Sequence, residues 1–381
     1  MNSYLEQAKE LHRQVPVVDA HNDLAGELRL RHQHGETDVI RRLYLPHWRQ
    51  AGIQLIVSSI YIENHVFFPS DQSRSTISAS TAGGSSSAAL WQHYWNTGEL
   101  CWEQGYQVAL EQIAIIKEEI CTLPDDLILV TSKKDLEPVL TKKKIGILLY
   151  MEGLDCVGDD ITKIDTLYKL GVRGASLTWS RQNLLATGCC TAANFTDIPG
   201  TITTLGYQAL DCLMKHSMFI DISHLNNEGY DDLCNHINRS NIFLPFIATH
   251  SNSWTIHPNY RNLTDAQLKS LACQSGILGI NANKYIVGSD GCNPLDKMCE
   301  HILYISHFIG FSHIGFGFDL CDSYTRGRDQ TDLIEKEDCL ENHEEALLLT
   351  ARLMKRGVSE AELKQLLGTN WLQYFSQILP V

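Results

Sequence analysis

Short runs of apolar, β-branched residues punctuate this chain. Between them lie longer stretches whose apolar positions recur every three to four residues. The first run starts at Val17 and stops at His21. The others cover 53–61, 145–151, 172–178, 219–223, 244–249, 277–281 and 313–318. Runs of this length, rich in Val, Ile and Leu, predict buried strands. Helical periodicity predicts helices over 1–14, 88–120, 160–170, 205–216, 228–238, 264–274 and 295–309. Two capping boxes, Thr264 with Gln267 and Ser359 with Glu362, mark further helix starts.

Strand–helix alternation implies parallel strands joined by right-handed crossovers. Eight strands between Val17 and Asp319 predict an α/β fold, a (β/α)₈ barrel, formed as a single domain over residues 1–381. A doubly wound open sheet is the alternative. It needs a glycine-rich phosphate turn after the first strand, and Gly315-x-Gly317 is only a pair within a strand. A stretch rich in Ser, Thr, Gly and Ala, near 69–87, interrupts the pattern as an excursion or lid.

The strand ends carry the chemistry. His21 and Asp23 follow the first strand, Glu152 the third, His224 the fifth, His250 the sixth and Asp319 the eighth. In a barrel all C-terminal strand ends face one mouth, so these six side chains are expected to converge. A lone His after a strand is more often a hydrogen-bonded loop residue, but six ligand-type residues at corresponding positions of five strands are hard to produce by accident. Three His with two or three carboxylates exceed the ligands of one catalytic zinc, which points to two metals. Such a pair holds a bridging water, lowers its pKa and polarises a carbonyl. Glu152 is placed to bridge, and Asp319 to act as general base and acid. His32-x-His34 lies among Arg and Gln with no strand before it, so a solvated loop or helix face is expected there.

Composition narrows the picture. The chain is 44% hydrophobic and 20% charged, with a net charge of −14. A nucleic-acid binder would show a basic stripe, and Lys142-Lys143-Lys144 is too short to be one. No apolar run approaches the roughly 18 residues that span a bilayer. Twelve cysteines without a leader-like start or a Cys-x-x-Cys pair predict a cytoplasmic protein with reduced thiols.

Six segments together resemble the renal-type (membrane) dipeptidases, peptidase family M19, within the amidohydrolase-like metal-dependent hydrolases. They are Val18-Asp19-Ala20-His21-Asn22-Asp23-Leu24, Tyr150-Met151-Glu152-Gly153, Ile220-Asp221-Ile222-Ser223-His224-Leu225, Ala248-Thr249-His250-Ser251-Asn252 with Arg261 to Asp265, His313 to Asp319, and Leu367-Gly368-Thr369-Asn370-Trp371. The resemblance implies a binuclear Zn²⁺ site, two ions per chain. It assigns His21 and Asp23 to one zinc, His224 and His250 to the other, and Glu152 to the bridge. It also implies hydrolysis of dipeptides, often with a D-residue tolerated at the C-terminal position, and often a homodimer. Arg261 matches the family arginine that holds the substrate carboxylate.

The chain departs from that family pattern in two places. Trp179 stands where better-known members carry a histidine that contacts the substrate carbonyl. Tryptophan donates one N–H and carries no positive charge. Losing one oxyanion donor costs about 10²–10³ in rate, and Gln182 and Asn183 are candidates to replace it. The end of the eighth strand, Phe318-Asp319-Leu320-Cys321-Asp322, differs from the family's Ser-Asp-x-Asp-Gly; Asp319 directly follows the strand. The leading expectation is a zinc-dependent dipeptidase. A related hydrolase for another small amide, lactone or ester is the second, and a non-catalytic metal- or peptide-binding barrel is the third.

Overall fold

The computed structural model describes residues 2–69, 85–189, 200–240, 246–289, 291–331 and 334–381. Its strands are β1 (Val17–Asn22), β2 (Ile53–Tyr61), β3 (Leu127–Leu129), β4 (Ile145–Glu152), β5 (Val172–Ala175), β6 (Phe219–Ile220), β7 (Ala248–Ser251), β8 (Leu278–Ile280) and β9 (Ile314–Phe316). They pair in parallel in the order β6-β5-β4-β2-β1-β9-β8-β7. The two ends of this ladder meet through the parallel bridge Asp221↔Ile247. There Ile222 N donates to Ile247 O, and Ile247 N to Ile220 O, both at 2.9 Å. Following the chain therefore follows the ring, as a (β/α)₈ barrel requires. The eight expected strands are present. The short β3, which pairs only with the start of β4, was not foreseen.

The barrel interior is filled by alternate residues, because successive strand side chains point to opposite faces. Val18, Ala20, Leu55, Val57, Leu148 and Tyr150 share an inner cluster with Trp371 and Phe375 from the C-terminal helix Asn370–Ile378. That helix plugs the barrel. Trp371 Nε1 donates to Phe316 O at 3.0 Å. A Cβ on Gly315 would lie 2.0 Å from the same Nε1, which explains a glycine within an apolar strand. The odd-numbered neighbours Ile147, Leu149 and Met151 face the larger helical layer.

The expected helices form, with one correction. The periodic stretch 88–120 is two helices, Ser85–Thr97 and Trp102–Thr122. The break falls at Gly98, whose φ of 71° is not helical. Both capping boxes form. His32 belongs to the helix Leu24–Gln33 and meets Glu119 Oε1 at 2.8 Å, so it is a helix-face residue. Most of the Ser-rich stretch near 69–87 lies outside the described residues.

Candidate metal centre

Local backbone geometry aims each ligand candidate. In β4 the alternation that buries Leu148 and Tyr150 puts Glu152, the last residue, on the same face at the mouth. In β1 the ladder to β2 is irregular between Asp19 and Asn22. An irregularity of this kind re-aims the side chains beyond it, and His21 faces the interior beside Tyr150 and His250. Asp19 locks this end. Its Oδ1 accepts from Phe318 N at 2.8 Å and its Oδ2 meets His343 Nε2 at 2.9 Å. Asp319 sits at φ 57°, a left-handed conformation, with its N–H on His21 O. Such a non-glycine residue at a strand end marks a constrained position.

The six strand-end residues do converge. His21 Nε2 lies 3.6 Å from Asp23 Oδ1, 3.6 Å from Glu152 Oε2 and 3.4 Å from Asp319 Oδ1. His224 Nε2 lies 2.8 Å from Glu152 Oε1 and 3.0 Å from His250 Nε2. His250 Nε2 is 3.4 Å from Glu152 Oε1. Glu152 thus offers one oxygen to His21 and the other to the His224–His250 pair. Arg261 is buried behind this cluster. Its Nη2 donates to His250 O at 3.3 Å, and its Nη1 has no partner among the described residues. Asp322 does not join the cluster; it accepts from Glu337 N at 2.8 Å.

Each imidazole turns Nε2 inward and ties Nδ1 to a hydroxyl. His21 Nδ1 meets Tyr150, His224 Nδ1 meets Ser180 at 2.6 Å, and His250 Nδ1 meets Thr249 at 2.7 Å. A proton held at Nδ1 leaves a lone pair on Nε2, the arrangement of a metal-binding histidine. Thr249 in turn donates to Asp221 Oδ2 at 2.7 Å, fixing its direction. Tyr150, Ser180, Thr249 and Asp221 were not singled out by sequence. Thr249 directly precedes His250, and Tyr150 lies two residues before Glu152 on the same strand face, so spacing could have found those two.

The electrostatics suit cations. Burial, with Arg261 and His21 nearby, holds His224 and His250 well below the ordinary histidine range, so both are neutral. Burial also opposes charge on His21, but Glu152, Asp319 and Asp23 outweigh it and raise His21 to about 10. Burial first, and the charges of Asp23 and Asp319 next, push Glu152 well up. Burial and Asp23 lift Asp319 to about 6. Asp23 is held down despite burial by His21 and Ser59. Three carboxylates crowd beside the inward Nε2 lone pairs of the neutral His224 and His250; without a metal ion a proton on His21 offsets part of their charge, and a divalent cation would take that proton's place. His21 Nε2 is moreover buried with no hydrogen-bond partner among the described residues. The donor set therefore fits divalent metal ions. The groups His21–Asp23–Glu152 and Glu152–His224–His250 both bring their donor atoms within 4.8 Å of one another.

Trp179 lies against His224, ring centroids 5.6 Å apart, and against Tyr61 at 5.2 Å. Arg181 backs it, 5.3 Å from its ring, and is itself held by Asp155 at 2.9 Å. Asn183 does not replace the missing histidine. Its carboxamide is occupied by Leu185 N, Ala186 N and Leu177 O. A cavity of about 640 Å³ has Asn22, Arg31, Asp322 and His343 in its lining and none of the metal-ligand candidates.

A family model for the membrane dipeptidases, peptidase family M19, matches residues 5–380. Dipeptidase ataJ of Aspergillus terreus is 25% identical over 407 residues, spanning 99% of this chain and 88% of its own. Among solved structures, a family M19 metallopeptidase, dipeptidase AC, superposes with a TM-score of 0.74 at 20% identity, covering 96% of this chain and 99% of its own. A metallopeptidase from Rhodobacter sphaeroides, liganded with a phosphinate mimic of L-Ala-D-Ala, gives a TM-score of 0.71 at 20% identity, with 96% and 99% covered. At these identities the structures establish the shared fold. No helix among the described residues is long and apolar enough to cross a membrane. The strand-end histidines and carboxylates, the barrel that gathers them and a family match over almost the whole length lead to one conclusion: this chain belongs to the membrane dipeptidase family, peptidase family M19, a family of metal-dependent hydrolases.

Proposed function

We propose that this protein is a zinc-dependent dipeptidase holding two zinc ions per chain. The observation that carries this reading is the division of Glu152, one oxygen towards His21 and the other towards His224 and His250, with the buried Arg261 guanidinium beside them. His21 and Asp23 would hold one ion, His224 and His250 the other, and Glu152 would bridge. Bound there, the ions supply Lewis acidity, which lowers the pKa of water and polarises a carbonyl. The chain's own residues do the rest. Arg261 takes the free C-terminal carboxylate of the dipeptide through its planar donor fork. Asp319 accepts a proton from the attacking water and passes it to the leaving amine. Asn281 Nδ2 holds Asp319 Oδ2 at 2.9 Å for that task. Trp179 walls the substrate on the His224 side. It excludes water but adds no positive charge, so turnover is slower than in members with histidine there.

Tolerance for a D-residue at the C-terminal position belongs to the proposal, supported by the L-Ala-D-Ala mimic bound by the Rhodobacter sphaeroides relative. So do a homodimeric assembly and a cytoplasmic location, the latter supported by twelve cysteines in a chain without a Cys-x-x-Cys pair.

The test is turnover of a mixed L,L and L,D dipeptide panel by metal-assayed protein, with Glu152→Gln as control. Hydrolysis that requires two zinc ions and vanishes in the variant supports the reading. Two bound ions with no hydrolysis of any dipeptide would overturn it, and would move the search to other small amides, lactones and esters.

A further inference from the structure

A second group of metal-ligand side chains lies on the outer helical layer, away from the mouth. Cys212 and His216 are four residues apart, His216 capping the helix Thr204–Lys215. Asp165 comes from the neighbouring helix Thr162–Lys169. His216 Nε2 is hydrogen-bonded to Asp165 Oδ1, and Cys212 Sγ lies 3.8 Å from the same oxygen. One donor atom from each residue falls within 4.8 Å of the others. Barrel helices run antiparallel to the strands that follow them, so the C-terminal end at His216, three residues before β6, belongs to the face opposite the catalytic mouth.

We propose that Asp165, Cys212 and His216 form a surface site for a borderline-soft divalent cation of the zinc type, clasping two adjacent helices. Spacing supports this. Residues four apart share one helix face. With metal–ligand bonds of about 2.0–2.3 Å, donors around a tetrahedral ion stand roughly 3.3–3.7 Å apart. The Cys212–Asp165 separation of 3.8 Å is already close to that range, the His216–Asp165 contact must open, and all three donor atoms lie within 4.8 Å of one another. The imidazole is held in place. Tyr168 stacks on His216 at 4.4 Å, and Arg173 lies 4.3 Å from the Tyr168 ring. A plain helix–helix staple would need only the His216–Asp165 hydrogen bond; it leaves the thiol on the same oxygen without a purpose. Lys215 Nζ, 4.0 Å from Asp165 Oδ1, belongs to a side chain that is 71% exposed and can swing into solvent.

Thiolate, imidazole and carboxylate together select zinc-like ions over calcium or magnesium. On binding, the Cys212 thiol releases its proton to solvent as the sulfur–metal bond forms, and His216 binds through neutral Nε2. Water completes the coordination, so the ion exchanges readily. A ligand that binds only the folded state stabilises it. This inference is independent of the catalytic reading.

The experiment compares wild type with Cys212→Ser and His216→Ala, all first loaded with catalytic metal. Metal content is measured after equilibration with micromolar zinc. Cobalt(II) titration then reads thiolate-to-metal absorption, and far-ultraviolet circular dichroism verifies folding. Wild type should hold one more equivalent than either variant, show the thiolate–cobalt band that both variants lack, and alone gain in Tm with added zinc. Equal metal content and equal spectra in all three proteins would overturn the site. A wild type that takes up no additional ion and shows no thiolate band would overturn it even if a variant failed to fold.

Discussion

Asn281 Nδ2 donates to Asp319 Oδ2 at 2.9 Å, joining the end of β8 to the end of β9 at the edge of the ligand cluster. Asn281 is itself immobilised. Its N–H and carbonyl both pair with the Asn252 carboxamide, and its Oδ1 accepts from Asn283 N at 2.6 Å. Asp319, held at a left-handed φ, therefore has one carboxylate oxygen fixed and one turned to His21. Replacing Asn281 by Ala should lower kcat with little change in KM or metal content. A hydrogen bond to a charged group is worth about 1.5–3 kcal/mol, so the loss should be roughly ten- to a hundredfold. The bond favours the charged carboxylate, so its removal raises the Asp319 pKa. The acidic limb of the kcat–pH profile should move to higher pH. An unchanged profile with reduced metal content would instead mark Asn281 as purely structural.

Arg261 presents an Nη1 with no partner among the described residues, while its Nη2 is anchored on the His250 carbonyl. Arg261→Lys keeps the charge but loses the planar fork. Its kcat/KM for dipeptides should fall roughly ten- to a hundredfold, the span of a charge-assisted hydrogen bond. The same dipeptides with an amidated C-terminus should be turned over equally by both proteins. A parallel loss on both substrate sets would remove Arg261 from carboxylate recognition.

Thr249 links His250 Nδ1 to Asp221, and Ser180 supports His224 in the same manner. Thr249→Val preserves shape and removes the acceptor. Partners of this kind typically contribute 10–100-fold in metal affinity, so competition with a chelator should show a weakening of about that size. Activity at saturating zinc should largely return.

Two buried histidines outside the ligand cluster give the fold an acid limit. Burial depresses His12 and His301 from 6.5 to about 4. His301 Nδ1 accepts from Ser253 N at 3.2 Å and its Nε2 faces Val287 O at 3.0 Å, which suits the neutral ring. A histidine depressed in the folded state takes up its proton more readily when unfolded. Its contribution is complete above about 6.5 and is lost as pH falls towards 4. Each shift is worth at most roughly 3 kcal/mol. The urea midpoint should drop between pH 7 and pH 5, and the drop should shrink in His12→Gln. An equal drop in that variant would assign the acid sensitivity to other groups.

Local chemistry made much of this protein legible in its sequence. Helix starts at Thr264 and Ser359 were readable because capping is decided within four residues. Strands β2 and β4 were readable because both faces are buried, which demands an unbroken apolar run. The weaker elements were not. β6 keeps two ladder residues of an expected five, because the run continues as loop to place His224. β3 is three residues long and is held only by β4. The helix break at Gly98 lay hidden inside a periodic stretch, since a glycine is tolerated in a helix until packing decides otherwise.

The sequence by itself determined the barrel, the candidate ligand types and the order in which strands deliver them, because strand period, turn residues and metal-ligand chemistry are local properties. Only the tertiary structure decided which atoms meet. The β1 irregularity turns His21 inward, Glu152 divides its oxygens, and three hydroxyls from separate strands and loops orient three imidazoles. Apart from the Thr249–His250 pair, whose partners are adjacent, those contacts join residues tens to hundreds of positions apart. No local propensity encodes them; they arise when the closed ring of strands brings its C-terminal ends to one mouth.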